Sequence, residues 1–413
     1  MSDSASQRDG TGQGTIQTGH YLWIVLPLAT GAFFAMGLTR MGIPVLYPFI
    51  QDEFGLSRAQ VGLITSLIAT GFMVTVLLAG WLTDIFGVKR IGVIAMFVLT
   101  AFTLVFPLAY SFPLVLGLAV IIGIAGSPLL LATTRAVIDW FPIRVRALAM
   151  GVKQMGVPIA GALTAAVLPT LAAVTGWRIA IAVTGLLVLV IAIAFFLLYR
   201  DAPQGTQAAP KFSLATLKTI LRNRGLVITT IWGFTFVGFQ FIVLSYFMLF
   251  LIEELEMSPI MAGGLLAIAQ FSSIIARVSW GAISDFIFRG RRIVVLVIIG
   301  FVTVIWMLGA SLIDGGVPGI TVYLIAVVIG ISTLSFHGVI LTLMGEYAEP
   351  GQAGVTLGVA MTATQVSMIV MPPLFGYLVD ISSSYSLVWR ITAAVALVCT
   401  LALLVFGRES QHR

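Results

Sequence analysis

The stretch Gly80-Trp81-Leu82-Thr83-Asp84-Ile85-Phe86-Gly87-Val88-Lys89-Arg90 is a short polar hinge between two long apolar runs. A weaker copy returns in the second half of the chain as Gly281-Ala282-Ile283-Ser284-Asp285, with basic residues from Arg289 onward. One such hinge would be an ordinary loop with a basic rim. Two copies, one in each half, indicate an internally duplicated membrane protein, and that plan favours transport over chemistry on a substrate.

The composition requires a bilayer. Of all residues, 59% are hydrophobic and only 9% are charged, and a soluble fold could not bury that much apolar surface. The net charge of +6 comes from basic residues scattered singly at the ends of apolar runs, so no nucleic-acid partner is predicted. The single cysteine, Cys399, lies in an apolar run, which leaves no disulfide framework and no thiolate metal site. No cofactor is predicted, and no enzymatic motif is present.

Apolar runs long enough to cross a bilayer recur along the chain, since a spanning helix needs roughly 20 apolar residues. The candidates are 21–50, 60–82, 91–110, 114–140, 148–172, 177–199, 225–252, 260–283, 293–312, 319–345, 354–379 and 386–407. We therefore predict an all-α membrane protein with twelve transmembrane helices in two pseudo-symmetric six-helix bundles.

The polar segments divide the chain. The bundles are expected at 21–200 and 223–407, and the long polar interior segment 201–222 is the predicted linker between them. Residues 1–20 are rich in Ser, Gly, Thr and Gln and lack the pattern of a signal peptide, so a disordered tail is predicted there. A second short tail is expected at 408–413.

Lysine and arginine are unequally shared between the two sides of this arrangement. One side receives Arg8, Lys89, Arg90, Arg144, Arg146, Arg200, Lys211, Lys218, Arg222, Arg224, Arg289, Arg291, Arg292, Arg408 and Arg413, and the other receives Arg58, Arg178 and Arg390. Cytoplasmic loops carry the excess of positive residues, so both termini and the linker are predicted to be cytoplasmic. In a prokaryote the membrane would be the inner membrane, and a monomer is expected.

On these residues the chain resembles the major facilitator superfamily over essentially its whole length. Gly80 to Arg90 matches that family's signature between helices 2 and 3, Gly-x-Leu-x-Asp-x-x-Gly-x-Arg/Lys-Arg/Lys, at every fixed position. In the second copy Ile283 replaces Leu and the glycine is displaced. The halves also share an acid at the end of their fourth helix, Asp139 and Glu346, each followed by a Gly-Val pair at the same spacing.

The resemblance implies two six-helix bundles, a substrate site between them at mid-membrane, and alternating access by rocking of the halves. It implies that Asp84 helps to latch the cytoplasmic side in the outward-facing state, by accepting hydrogen bonds from a helix N-terminus or pairing with an arginine. The other reading of Asp84 is a solvated turn charge. The predicted gating residues are Gly80, Asp84, Gly87, Lys89, Arg90, Asp285 and Arg289.

Two arginines within spans are the leading candidates for substrate binding, because an ionisable residue at mid-membrane costs at least roughly 2.5–3.5 kcal/mol. Arg40 precedes Pro48 near the end of helix 1, as the substrate arginine does in organophosphate antiporters and anion–cation symporters. Arg277 lies four residues before Gly281, like the helix 8 arginine of nitrate porters, monocarboxylate carriers and oxalate–formate exchangers. The alternatives are snorkelling for Arg40 and an internal ion pair for Arg277.

Two further basic residues are weaker candidates for the substrate site. Arg135 occupies a place where the anion-transporting branches often carry Arg or Lys, and it could instead pair with Asp84 or Asp139. Lys153, in the first turns of helix 5, is most simply a snorkelling lysine.

The positions at which the chain differs from the family's pattern narrow the class of possible substrates. The helix 7 region where organophosphate antiporters carry a second arginine has none, and Val76 stands where nitrate porters carry an arginine in helix 2. One or two arginines without a complete clamp suit a weakly charged anion such as a monocarboxylate better than a dianionic phosphate ester.

Titratable groups inside the membrane are few. No carboxylate lies at the middle of a predicted span, which argues against a carrier of cationic drugs. His337 is the only group that titrates near pH 7 within a span, so it is the candidate for proton coupling. A hydrogen-bonded packing histidine is the alternative.

A mostly apolar pocket with a few polar groups completes the prediction. Its substrate-binding residues are Arg40, Arg277, Arg135, Tyr47, Gln154, Tyr246, Gln270, His337 and Gln365. The leading hypothesis is transport of a small organic anion, coupled to protons or to a counter-anion. The alternatives are an exporter of amphipathic compounds, a nitrate- or nitrite-type porter, and a transporter-fold sensor.

Overall fold

The structure is a computed structural model that describes residues 12–202, 222–313, 319–348, 353–407 and 409. Those residues form helices and no strand. Eleven of the described helices are long and apolar enough to cross a membrane, and the shorter apolar helix Gly319–Ile331 completes a set of twelve. The predicted all-α membrane fold is therefore confirmed.

The helices define twelve spans. In the first half, span 1 is Gly12–Val45 followed by Tyr47–Phe54, span 2 is Arg58–Phe86, span 3 is Val88–Val105 with a 3₁₀ turn at Phe106–Leu108, span 4 is Phe112–Trp140, span 5 is Ile143–Gln154 and Gly156–Thr175, and span 6 is Trp177–Leu198. In the second half, span 7 is Arg224–Glu253, span 8 is Pro259–Ala282 with a π-helical turn at Ile283–Ile287, span 9 is Arg292–Ala310, span 10 is Gly319–Ile331 and His337–Glu346, span 11 is Ala353–Gln365 and Ser367–Ser382, and span 12 is Tyr385–Phe406.

The boundaries differ from the prediction in two places. The first helix begins at Gly12, inside the stretch 1–20 predicted as a disordered tail, because an apolar span that is already helical extends into polar residues at little cost. The hinge between spans 2 and 3 is a single residue, Gly87, which takes a left-handed φ of 83°. Most of the linker and the tail 408–413 lie outside the described residues.

Spans 3, 6, 9 and 12 present apolar side chains to the surroundings. Ile94, Val190, Ile305 and Val398 are each at least 60% exposed. Such side chains would be costly in water but suit the acyl region of a bilayer.

The two halves meet along spans 2 and 11 and along spans 5 and 8. At the first contact, a Cβ on Gly376 would lie 2.4 Å from the backbone oxygen of Arg58. At the second, a Cβ on Gly161 would lie 2.3 Å from Nε2 of Gln270. The contact at Gly376 is with backbone that cannot move aside, so it depends on the absence of a side chain, whereas the contact at Gly161 is with the end of a flexible side chain.

One end of the molecule, which we call the far end, is closed by polar contacts between the halves. Arg58 of span 2 pairs with Glu253 at 2.7 Å and with Asp380 at 3.6 Å. The hydroxyl of Tyr246 lies 2.8 Å from the backbone oxygens of both Arg58 and Pro372. Gln51 donates a further hydrogen bond to Glu253. These contacts tie the halves together at the far end.

The opposite end, which we call the hinge end, carries two ion-pair clusters, each within its own half. Arg135 of span 4 bridges Asp84 at 3.3 Å and Asp139 at 2.8 Å. In the second half, Arg292 pairs with Asp285 and with Glu346. Since the described contacts between the halves lie beside the cavity and at the far end, the structure represents the state that is closed at the far end.

An acid at the end of each half caps the third span of that half. Asp201, which follows span 6, accepts a hydrogen bond of 2.8 Å from the backbone N–H of Lys89. Glu409, which follows span 12, accepts from the backbone N–H groups of Arg292 and Ile293. Burial raises the pKa of Glu409, and these N–H donors oppose that rise. The two halves therefore share a capping device as well as a hinge.

A separate contact anchors the segment Tyr47–Phe54 at the far end. Glu53 accepts hydrogen bonds from Arg178 and from the indole of Trp177. The contact belongs to the first half alone and does not reach the cavity.

Candidate functional site

A cavity of about 170 Å³ lies between the two halves. Its lining combines basic, amide, aromatic and thioether side chains. The lining residues are Phe33, Met36, Arg40, Met41, Phe72, Leu130, Gln154, Val157, Val237, Gln240, Phe241, Arg277, Phe336, His337, Ile340, Leu341, Met344, Met361, Thr364 and Gln365. Both halves contribute, as a site that alternates between two sides requires.

Arg40 enters the cavity from span 1, and its guanidinium lies against two aromatic rings. The Cζ atom lies 5.1 Å from the ring centroid of Phe72 and 5.1 Å from that of Phe241. Its only hydrogen bond among the described residues runs from Nη2 to the sulfur of Met368, at 3.1 Å. A thioether is a weak acceptor, so the edge of the guanidinium keeps most of its capacity for an oxyanion.

Arg277 enters from span 8 and is held by a break in span 10. Its Nη2 donates to the backbone oxygen of Leu334 at 2.9 Å, and Trp280 donates to that of Ile331 at 2.6 Å. Residues 332–336 are non-helical, so their carbonyls need other donors. The Nε atom of Arg277 is buried and has no partner among the described residues.

Two other lining side chains carry buried polar atoms without a described partner. They are Nδ1 of His337 and Oε1 of Gln240. His337 stacks on Phe336 at 4.4 Å and begins the second helix of span 10, so the positive end of that helix faces the cavity. Unpaired polar atoms that meet in one cavity are expected where a ligand binds.

The cavity is electropositive. Arg40 and Arg277 have no carboxylate within ion-pair distance among the described residues, and none of the lining residues is acidic. Both arginines lie close enough to His337 to act on its charge. Two unpaired cations in a low-dielectric cavity attract an anion and repel a cation.

The predicted pocket residues divide into two groups. Gln154 and Gln365 line the cavity together with Arg40, Arg277 and His337. Tyr47, Tyr246 and Gln270 do not line it.

The residues outside the cavity have contacts that explain their burial. Tyr47 is fully buried and bonds to Thr65 at 2.6 Å. Tyr246 belongs to the closed far end, and the amide of Gln270 packs against Gly161 where spans 5 and 8 meet. These three side chains hold elements of the fold together and do not belong to the candidate site.

Arg135 is also left out of the site, because both ends of its guanidinium are occupied by Asp84 and Asp139. Its spacing of four residues before Asp139 is the signal that predicts this pair on a helix. The pair leaves Asp84 half exposed at the hinge end, in contact with its own half.

Lys153 is fully buried behind Phe33 rather than snorkelling to the surface. Its Nζ atom lies 4.4 Å from the ring centroid of Phe33 and bonds to Thr134 Oγ1 at 2.9 Å. Phe33 lines the cavity and Lys153 does not. The lysine is therefore separated from the cavity by one aromatic ring.

The break in span 10 is the feature of the candidate site that the sequence prediction lacks. The segment Ser332-Thr333-Leu334-Ser335-Phe336 sits inside an apolar run that is long enough to be one helix. Its three small hydroxyl residues are the available signal, since such residues stabilise irregular backbone within a membrane. The break is what gives Arg277 its acceptor.

A twelve-span fold with two halves and a central cavity defines a membrane transporter. Comparison with known proteins agrees with this class: the family model "Major Facilitator Superfamily" matches residues 28–372. The chain belongs to this superfamily, a family of transporters rather than enzymes.

Curated relatives match over nearly their full length. A hexuronate transporter of Bacillus subtilis is 24% identical, over 90% of this chain and 91% of the relative. A probable sulfoacetate transporter of Cupriavidus necator is 26% identical, over 94% of each chain. A probable galactarate/D-glucarate transporter of Escherichia coli K12 is 22% identical, again over 94% of each. All three names describe organic-acid transporters.

Solved structures share the fold. A bacterial homologue of the lysosomal transporter Spinster, in an inward-facing and unoccupied conformation, aligns with a TM-score of 0.73 at 17% identity, over 94% of this chain and 96% of that chain. The nucleoside transporter NupG aligns with a TM-score of 0.75 at 15% identity, over 92% and 98% of the two chains. At these identities the likeness concerns the fold alone.

Proposed function

We propose that this transporter carries a small organic anion, with a carboxylate as the group that it recognises. The observation that carries the proposal is the presence of Arg40 and Arg277, from opposite halves, in one cavity without an acid. A guanidinium presents a planar fork of donors that matches the two oxygens of a carboxylate. An anion held by both arginines would bind the halves together and bias the rocking equilibrium.

The relatives support an organic acid rather than an inorganic anion or a cationic drug. Their names include hexuronate, sulfoacetate, galactarate and D-glucarate, each an organic anion. A cationic substrate would need a carboxylate in the cavity, and the lining contains none. Export of amphipathic compounds stays the second candidate, because the apolar lining suits it.

The orientation in this proposal follows from the lysines and arginines. The hinge end carries most of them and would face the cytoplasm, with both termini on that side. The state closed at the far end is then the inward-facing state. Asp84 would form its latch across the halves only when the hinge end closes.

The test of the proposed function is uptake by the purified protein in proteoliposomes. Labelled lactate, formate, oxalate, galacturonate and nitrate would be compared with and without an inward proton gradient or an internal counter-anion. We expect at least one carboxylate to be taken up. Nitrate should be taken up clearly more slowly, because the chain has Val76 where nitrate porters carry a second arginine in helix 2. Transport of neutral amphipathic compounds and of no anion would favour the second candidate.

Proton coupling is proposed to involve His337. A bound anion would offset the charge of Arg40 and Arg277, and that offset favours a proton on the adjacent imidazole. We expect His337→Gln, which keeps the volume and removes the titration, to leave carboxylate counterflow within about threefold of wild type and to abolish accumulation driven by the proton gradient. Gradient-driven accumulation that persists in the variant would assign coupling to another group.

A further inference from the structure

The lining of the cavity is mainly apolar. Of the twenty lining residues, four are methionines and four are phenylalanines, and five more are Leu, Val or Ile. The methionines Met36, Met41, Met344 and Met361 come from spans 1, 10 and 11, so both halves contribute them. Thioethers adapt to the shape of an apolar ligand but accept hydrogen bonds weakly.

The neutral polar groups are few in comparison. They are the amides of Gln154, Gln240 and Gln365, the hydroxyl of Thr364 and the imidazole of His337, which is the group proposed for proton coupling. Thr364 donates its hydroxyl to the backbone oxygen of Met361 at 2.8 Å, so its donor is already used. The strong donors of the cavity belong to the two arginines, and these would be taken by the carboxylate.

The volume indicates the size of ligand that would fill the cavity in this state, which is closed at the far end only. A cavity of about 150 Å³ lined by aliphatic and aromatic side chains accommodates benzene, so the cavity of about 170 Å³ here suits a ligand of on the order of ten non-hydrogen atoms. The polyhydroxylated hexose acids that some relatives are named for are larger and need a partner for each hydroxyl group.

We propose that the substrate is a short monocarboxylate with an apolar body, the carboxylate lying between Arg40 and Arg277 and the body lying against the methionines and phenylalanines. The inference rests on the proposed function and narrows its substrate class. It separates this protein from relatives named for sugar acids, because a buried hydroxyl without a partner weakens binding even where it fits.

Hexanoate and gluconate test this directly, since they share a carbon chain and a carboxylate and differ in the hydroxyl groups. Both would be titrated as sodium salts into the full-length protein in lipid nanodiscs by isothermal calorimetry, with empty nanodiscs as the reference for partitioning. We expect gluconate to bind on the order of 100-fold more weakly than hexanoate, or worse, as apolar pockets discriminate against added hydroxyl groups on that scale.

A substitution in the cavity lining separates recognition of the substrate's apolar body from recognition of its carboxylate. Met361→Gln adds an amide of similar length at a side chain that is 37% exposed, so folding should be preserved. We expect it to weaken hexanoate binding by about tenfold and to leave gluconate unchanged or tighter. The matched control is Met261→Gln, at an exposed methionine outside the cavity, which should change neither affinity.

The outcomes distinguish the two proposals. Gluconate binding as tightly as hexanoate, or an unchanged preference in Met361→Gln, would overturn the apolar-body inference and leave carboxylate transport standing. No binding of hexanoate, with uptake of another carboxylate in the proteoliposome assay, would overturn the inference alone, and no carboxylate bound or taken up in either assay would overturn both. A preference for hexanoate that narrows in Met361→Gln and not in Met261→Gln supports the inference.

Discussion

Replacing Arg277 with alanine should abolish carboxylate transport. Truncating one partner of a desolvated charge pair costs about 2–5 kcal/mol, which corresponds to a loss of on the order of 30-fold to several thousand-fold in affinity. The loss should be as large for Arg277 as for any lining residue, because its Nε atom is buried without a partner and its Nη2 atom is already fixed by Leu334. Uptake into proteoliposomes and calorimetric binding would both measure it.

Two further variants show what the side chain contributes. Arg277→Lys keeps the charge but lacks the planar fork, so we expect partial binding, weaker than wild type by about tenfold or more. Arg390→Ala removes an exposed arginine of span 12 that lies outside the cavity and should bind like wild type. Carboxylate uptake by Arg277→Ala at the wild-type rate would contradict the proposed role.

The fold could be predicted from the sequence because its main signals are one-dimensional. Apolar runs of spanning length mark the helices, and the repeated hinge marks the duplication. The predicted helix boundaries are wrong where the local sequence is compatible with either a helix or an irregular segment. The polar composition of residues 12–20 predicts a tail, yet these residues continue the helix of span 1.

The charged residues of the candidate site could be predicted from the sequence, and the neutral residues that shape its cavity could be predicted less well. Arg40, Arg277 and His337 stand out because ionisable residues within spans are rare and costly. Which neutral residues face the cavity cannot be found from periodicity in a helix buried on nearly all sides, and span 7 is such a helix. Gln240 and Tyr246 both lie on it, and only the first lines the cavity.

The closure of the far end depends on two glycines, Gly62 of span 2 and Gly376 of span 11. A Cβ on Gly376 would meet the backbone oxygen of Arg58 and the hydroxyl of Tyr246, both at 2.4 Å. A Cβ on Gly62 would meet that hydroxyl at 2.3 Å and the backbone of Pro372 at 2.7 Å. Backbone atoms cannot turn aside as the end of a flexible side chain can.

We therefore expect Gly376→Ala to hold the far end open and to stop the transport cycle. Overpacking costs typically about 1–3 kcal/mol, and here the cost falls only on the state that is closed at the far end. The ratio of the closed state to the open state would therefore fall by roughly 5- to 150-fold. The proposed substrate cavity lies elsewhere, so the variant should bind the anion and fail to transport it. Gly62→Ala should behave in the same way, since it obstructs the same contact from the other half.

Distances between spin labels on Asp52→Cys and Glu254→Cys, in a Cys399→Ser background, would report the state of the far end. Both labelled positions are exposed and lie on opposite halves. We expect the distance distribution to shift to longer values in Gly376→Ala. The matched control is Gly358→Ala on the same span, where a Cβ would meet no atom within 4 Å.

An unchanged distance distribution in Gly376→Ala, together with normal uptake, would show that the backbone adjusts to the methyl group without opening the far end. Loss of transport with an unchanged distribution would point to a defect other than closure. A shift in Gly376→Ala and Gly62→Ala, and none in Gly358→Ala, assigns the effect to the contact between spans 2 and 11. That contact would then be the one that must form and break once in every transport cycle.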